Sequence, residues 1–442
     1  MNLLYGSIME FNLLLSFSEI AVKALPIIIA VLFFGLIIFI HELGHFIFAK
    51  AFGVKVNEFA LGMGPTILKK QGKETKYALR LFPIGGFVSM EGEDEASDDS
   101  RAYCNQKAWK RMIIISAGAV MNLILGVVVC FCLVCSEDLV GTNQILQFYE
   151  GSVSSSSLKE GDKIVRIDGK RVFSDYDISF LMQRNATGHY DFIVERDGEK
   201  IELEDVPFAK RTMGNFSYSP DCSISSVSAK LKKVGFEDGD IITSVNGVET
   251  PDDKTLIAQI QADEDYVYDF TVKRGGEELS FEQITLQTAT VFDFIILGED
   301  KNILNVTKNA FGYAFSMGRM VYLSLFDLLS GQYGLNELTG AVGTISVITD
   351  IAEESVATTD WSQLFMLMAM ITINIGLFNL LPVPALDGGH LFFMFVELII
   401  RRPIPQKYVS WIHAAGLVLL LGLMAVITFS DIWKLISGVG FY

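Results

Sequence analysis

Charge is scarce in this 442-residue chain: Asp, Glu, Lys and Arg together make up 20% of it, against 50% hydrophobic residues and 33 Phe. The mean hydropathy is +0.38. This shortage excludes a disordered chain and a purely soluble enzyme, because there is more apolar surface than one water-soluble core needs. Blocks of Lys and Arg are lacking and the formal net charge is -17, so nucleic acid is not an expected partner. Cysteine is equally thin. Five thiols are too few and too poorly spaced for a disulfide scaffold. Three of them, Cys130, Cys132 and Cys135, share one apolar stretch, where thiols pack as small hydrophobes.

What the chain has instead is long apolar runs. Four approach the roughly 20 residues that span a bilayer: about Leu25 to Ala49, Met112 to Cys135, Leu364 to Pro382 and Val409 to Ile427. The first exceeds the apolar core of a cleavable signal peptide and no small-residue cleavage site follows, so it is expected to be retained. Lys and Arg number eleven between residues 49 and 111, one before residue 25, three at Arg401, Arg402 and Lys407, and one at Lys434. An excess of these residues marks the cytoplasmic side, which puts 50–110 in the cytoplasm and both termini outside. Residues 150–300 contain no span and carry 16 basic against 30 acidic residues, which predicts a soluble acidic module on the outer side.

That module repeats itself. Gly161-Asp162-Lys163-Ile164-Val165-Arg166-Ile167-Asp168-Gly169 returns as Gly239-Asp240-Ile241-Ile242-Thr243-Ser244-Val245-Asn246-Gly247, an offset of 78. The same offset carries Glu195-Arg196-Asp197-Gly198-Glu199 onto Lys273-Arg274-Gly275-Gly276-Glu277. Two matches at one spacing mean two copies of one domain, each with a strand ending in the Asp-Gly or Asn-Gly of a hairpin turn. The pattern resembles the PDZ domain found beside bacterial membrane and periplasmic proteases. Two readings stay open: a groove that takes a peptide as an added strand, or a pair of domains that only fence the membrane site. Neither copy shows a Gly-Leu-Gly-Phe carboxylate loop.

The chemistry is concentrated at His41-Glu42-Leu43-Gly44-His45, near the end of the first apolar run. Residues four apart on a helix differ by about 40° in direction, so both imidazoles leave one face and can grip one zinc ion. Glu42 then stands where a base can take a proton from the attacking water and hand it to a leaving amine. The motif lies about 12 Å inside the span's cytoplasmic end at 1.5 Å per residue, a depth at which ionisable groups are costly and normally functional. Catalytic zinc usually has three protein ligands. Asp387 is the favoured third, in Asn379-Leu380-Leu381-Pro382-Val383-Pro384-Ala385-Leu386-Asp387-Gly388-Gly389, where two prolines and two glycines break the third span. Such irregular backbone is tolerated at membrane depth only where it lines a cavity or is buried in protein. His390 and His413 are rival ligands, the latter read rather as a hydrogen-bonded packing residue.

Together, these motifs, spans and repeats resemble the site-2 protease family of intramembrane zinc metalloproteases, in particular the bacterial branch with tandem PDZ domains that acts in regulated intramembrane proteolysis. The resemblance implies zinc on His41, His45 and Asp387, Glu42 as base, and Asn379 and Asn374 as substrate-binding residues. Gly62-Met63-Gly64 and Phe82-Pro83-Ile84-Gly85-Gly86-Phe87 resemble the family's membrane-associated β-hairpin, which aligns extended substrate. Gly118-Ala119-Val120-Met121-Asn122 is similar to a second-span Gly-Pro-x-x-Asn motif with Ala119 in the proline position, and Gly340-Ala341-Val342 lacks the proline of Gly-Pro-Ile.

The expected fold is therefore a multi-span α-helical membrane protein of about four transmembrane helices, with two inserted α/β PDZ-like domains and a membrane-associated β-hairpin region. Residues 1–140 carry the first two helices and the hairpin, 141–218 and 219–298 the two PDZ-like domains, 299–360 an amphipathic membrane-surface segment and linker, and 361–442 the last two helices. The expected activity is intramembrane zinc endopeptidase in the bacterial inner membrane. Its partners would be membrane lipid, single-span membrane proteins such as a pre-trimmed anti-sigma factor or remnant signal peptides, and peptides at the PDZ-like domains. The alternatives are a noncatalytic scaffold with a structural metal site, for which an intact Glu42 has no use, and a zinc transporter, for which no second relay of ligands is visible.

Overall fold

The computed structural model describes residues 28–436 apart from 94–96, 185–186, 213–214, 228, 262–265, 287, 332–339, 359 and 403. Residues 25–27 of the expected first span, and both termini whose side of the membrane is predicted above, lie outside the described residues. The chain divides into two compact units, one formed by residues up to Asp138 and from Lys301 to Ile432, the other mainly by Leu139–Asp300.

In chain order, α1 (Ile28–Ala51) is followed by β1 (Val56–Gln71), β2 (Lys76–Met90) and α2 (Ala108–Ser136). Gly53 ends α1. With φ at 79° it lets the Val54 and Gly53 amides turn back onto the carbonyls of Ala49 and Lys50, at 2.9 and 3.0 Å. β1 and β2 then double back on each other. Residues 58–61 pair with 76–79 and also with 86–89, while 66–71 pair with 76–80, giving four rungs in the order 66–71, 76–80, 58–61, 86–89.

The other unit opens with β3 (Val140–Phe148), β4 (Lys163–Ile167), β5 (Lys170–Arg171), α3 (Asp175–Arg184), β6 (His189–Arg196), β7 (Glu199–Pro207), β8 (Lys210–Thr212) and β9 (Phe216–Tyr218). It continues with β10 (Ile224–Val227), α4 (Ala229–Val234), β11 (Ile241–Val245), β12 (Val248–Glu249), α5 (Asp253–Gln261), β13 (Val267–Arg274), β14 (Glu277–Thr285), β15 (Thr288–Thr290) and β16 (Phe294–Glu299). The 78-residue offset carries β4 through β7 onto β11 through β14, and α3 onto α5. It also preserves detail: Arg196 grips the buried Asp162 as Arg274 grips the buried Asp240, each with a 2.6 Å bond from Nε. The pairing nevertheless crosses between copies. β16, at the end of the second repeat, pairs with β3 of the first, β9 with β10, and β8 with β15. The copies therefore interlock, and the 218/219 boundary falls between two strands that pair with one another.

The chain ends in α6 (Ile303–Leu329), α7 (Ala341–Thr358), α8 (Ser362–Phe378), α9 (Asp387–Ile400) and α10 (Gln406–Ile436). Three helices among the described residues are long and apolar enough to cross a membrane: Ile28–Ala51, Ala108–Ser136 and Lys407–Trp433. The stretch expected to span as far as Pro382 instead forms the 17-residue α8, which stops at Phe378, and the chain becomes helical again only at Asp387. Pro382 and Pro384 lack the amide protons that a continuous helix needs.

In this unit α2 is the central post. At Gly126 an added Cβ would sit 2.4 Å from Ile373 Cγ1, and at Gly376 one would sit 3.1 Å from the Ala119 carbonyl oxygen, so small residues let α2 and α8 approach closely. Ala49, Val54, Val56, Phe59, Ile114 and Met394 form one buried cluster that joins α1, the hairpin, α2 and α9.

Candidate metal centre

The α1 helix delivers its two histidines as the four-residue spacing requires, with the Nε2 atoms of His41 and His45 3.2 Å apart. Asp387, the first residue of α9, brings Oδ2 to 3.1 Å from His41 Nε2 and 3.4 Å from His45 Nε2. Its carboxylate sits at a helix N-terminus, where the backbone dipole favours negative charge.

The turn that aims Asp387 is tightly held. Gly388 donates its N–H to the Asn379 carbonyl at 2.7 Å, and an added Cβ there would lie only 2.0 Å from the Leu381 carbonyl oxygen. Ala385 has φ at 76°, a conformation that a side chain disfavours, and its N–H donates to His413 Nδ1 at 3.1 Å. Gly416, one turn further along α10, leaves room for Pro384. His413 is thus a hydrogen-bonded support of the turn. His390 stacks on it at 3.8 Å between ring centroids, and both line a cavity of about 310 Å³ together with Glu93, Arg111 and Glu397. Neither rival joins the donor cluster, which among the described residues consists of His41, His45 and Asp387.

The three donors fit a zinc ion. Ligand atoms about 2.1 Å from a tetrahedral centre lie about 3.4 Å from one another, and the edges here measure 3.1, 3.2 and 3.4 Å. Among the described residues, the buried Asp387 Oδ2 meets only the two imidazole Nε2 atoms, a set of lone pairs that one shared cation would satisfy. His45 Nδ1 is 2.8 Å from the Ile114 carbonyl. A carbonyl can only accept, so Nδ1 carries the proton and Nε2 presents its lone pair to the cluster.

Glu42 faces the hairpin. A Cβ on Gly86 would come within 2.9 Å of Glu42 Cγ, so glycine at that position lets the rung 86–89 lie against this side chain. Among the described residues no strand pairs with the outer edge of that rung. Asn374 lies on α8 with Oδ1 buried and unpartnered among the described residues, and Asn379 caps the same helix. Sequence reasoning left Gly118 without a role. An added Cβ there would sit 2.4 Å from His45 Nε2 and 2.9 Å from His41 Cε1, so its bare backbone is the wall against which both imidazoles rest. The signal was present in the Gly118–Asn122 motif, but its meaning depends on the register of α2 against α1.

The model of Peptidase family M50 matches residues 29–423. The chain belongs to Peptidase family M50, the site-2 protease family. Like others of this family, it is a membrane zinc metalloprotease. A Clostridium acetobutylicum protein provisionally named a zinc metalloprotease is 31% identical over 412 residues, covering 92% of this chain and 97% of its own length. Zinc metalloprotease RasP of Geobacillus kaustophilus is 28% identical, covering 92% and 98%. The Regulator of sigma-W protease RasP of Bacillus subtilis is 26% identical, also covering 92% and 98%.

Proposed function

We propose that this M50 enzyme is an intramembrane endopeptidase that cuts transmembrane segments of single-span membrane proteins, with His41, His45 and Asp387 holding zinc and Glu42 acting as the base. The observation that carries the reading is the donor triangle with 3.1 to 3.4 Å edges, drawn from the apolar helix α1 and the start of α9. A bound zinc ion supplies a Lewis acid for the scissile carbonyl. Glu42 takes the proton of the attacking water and passes it to the leaving amine.

A helical substrate hides its carbonyls in hydrogen bonds and must be unwound before it is cut. The edge of residues 86–89, unpaired among the described residues, offers it a strand to pair with, directly beside Glu42. Asn379 and Asn374 hydrogen-bond the backbone so exposed, a role favoured by the unpartnered Oδ1 of Asn374. In the bacterial inner membrane, residues 50–110 face the cytoplasm, while both termini and the two interlocked modules face outward. Those PDZ-like modules act as a sieve that contacts peptide and admits substrates whose outer domain has been trimmed. The name of the Bacillus subtilis relative favours an anti-sigma factor as substrate; remnant signal peptides have the same single-span form.

The decisive experiment is Glu42→Gln. Zinc content and fold should stay at wild-type levels while cleavage of a membrane-embedded reporter disappears; undiminished cleavage rejects Glu42 as base. Beside it, Asp387→Ala should lose zinc and His390→Ala should keep it. The opposite pattern rejects the ligand set.

A further inference from the structure

Asn122 is completely buried, and its amide Nδ2 lies 3.4 Å from Nδ1 of His41. Its Oδ1 has no partner among the described residues. Burying an amide is costly unless it hydrogen-bonds, so a carboxamide that addresses only the far nitrogen of a candidate ligand has its purpose there. The helix α2 already treats His45 in this way, through the Ile114 carbonyl. Ile114, Gly118 and Asn122 succeed one another at intervals of four residues along one face of α2. The first and last meet the outer nitrogens of the two imidazoles, and Gly118 makes room for the rings between them.

We propose that Asn122 is a positioning residue that sets the tautomer of His41 by accepting its Nδ1 proton. The structure turns Nδ2 toward the ring, but oxygen and nitrogen of a carboxamide have the same shape, so a half-turn of the amide exchanges them, and proton accounting favours the exchanged orientation. With the NH2 group toward Nδ1, the ring proton sits on Nε2 and points at His45 Nε2 and Asp387 Oδ2, blocking the lone pair that a metal needs. With the oxygen toward Nδ1, the proton is held on the outer side and Nε2 is free, matching His45. The inference rests on the zinc reading of His41, His45 and Asp387 above.

Zinc affinity of the full-length protein in detergent, measured by competition with a chelator, tests it. Asn122→Leu keeps the volume but removes the acceptor, and should bind zinc about 10- to 100-fold more weakly with unchanged thermal unfolding. Asn122→Asp keeps an oxygen on the Nδ1 proton and should bind within about threefold of wild type. A packing role predicts the reverse order, because leucine suits a buried apolar site and a carboxylate does not. Wild-type affinity in Asn122→Leu, or equal loss in both variants, overturns the proposal while leaving the ligand set intact. A wild-type protein that holds no zinc overturns both. Independently of any variant, 15N spectra of the metal-free wild-type chain should show His41 with its proton on Nδ1, and a proton on Nε2 would also overturn it.

Discussion

Replacing Gly118 with alanine places a methyl carbon 2.4 Å from His45 Nε2, 2.7 Å from its Cε1 and 2.9 Å from His41 Cε1. Ordinary contacts of this kind begin near 3.4 Å, so the rings must retreat by up to about 1 Å. Zinc–ligand distances tolerate only about 0.2 Å, so at least one imidazole leaves the coordination sphere and zinc affinity should fall by about 100-fold or more. The helix itself loses nothing, since alanine is favoured over glycine in a helix interior by about 1 kcal/mol. Gly126→Ala is the matched control, two turns along the same helix. Its methyl group meets Ile373 Cγ1, also at 2.4 Å, but far from the donors. That variant should lose thermal stability by about 1–3 kcal/mol of overpacking, partly offset by propensity, and keep stoichiometric zinc. Chelator competition and thermal unfolding in detergent separate the two effects. If Gly118→Ala binds zinc as tightly as the wild type, the cradle is wrong.

Three further outcomes follow from the geometry. Glu74 accepts from Lys50 at 2.6 Å and Arg101 at 2.7 Å, and those bonds hold its carboxyl down to about 2 from an ordinary 4.5. Because the folded value is the lower one, its contribution is complete above pH 4.5 and is lost as the pH falls toward 2; with solvent screening it amounts to about 1 kcal/mol. Hydrogen exchange of residues 72–76 should rise through that window in the wild type and stay flat in Glu74→Gln. In the second module, burial opposes ionisation of Asp240, but the Arg274 guanidinium and the Glu237 amide hold its carboxyl below the usual range. Arg274→Leu should therefore destabilise that module by about 3 kcal/mol, read as faster exchange across 222–286, and Arg196→Leu should do the same to the first module. Asp431, fully buried on α10, accepts from the amides of Gly340 and Gly343 where α7 begins. Its replacement by alanine should loosen residues 340–346 by about 1–2 kcal/mol in exchange experiments, and unchanged protection would reject that cap.

Asp431 gives the Gly340-Ala341-Val342 segment a role in the fold, while nothing in the structure explains alanine in the proline position. The start of α7 is anchored by a carboxylate from another helix, and an added Cβ on Gly340 would lie 2.8 Å from Asp431 Oδ2. From sequence, Gly340 was recognisable only as part of a family pattern, because its partner stands 91 residues away. The same distinction runs through the hairpin. Its glycines were visible, but the double pairing of residues 58–61 was not, since no local alternation records that a strand will have partners on both edges.

Sequence alone was sufficient wherever the physics is local or self-repeating. A four-residue spacing fixes both imidazoles on one helical face, apolar length predicts a membrane helix, two prolines end one, and a constant 78-residue offset reveals a duplicated module. Tertiary structure decided everything that depends on register between distant segments. It brought Asp387, the ligand favoured from sequence, to the imidazoles, set His390 and His413 beside the turn instead, and made Gly118 a wall. It also interlocked the two repeats through β3 and β16. These outcomes are set by how side chains of separate elements fill a shared space, and no spacing along the chain carries that information.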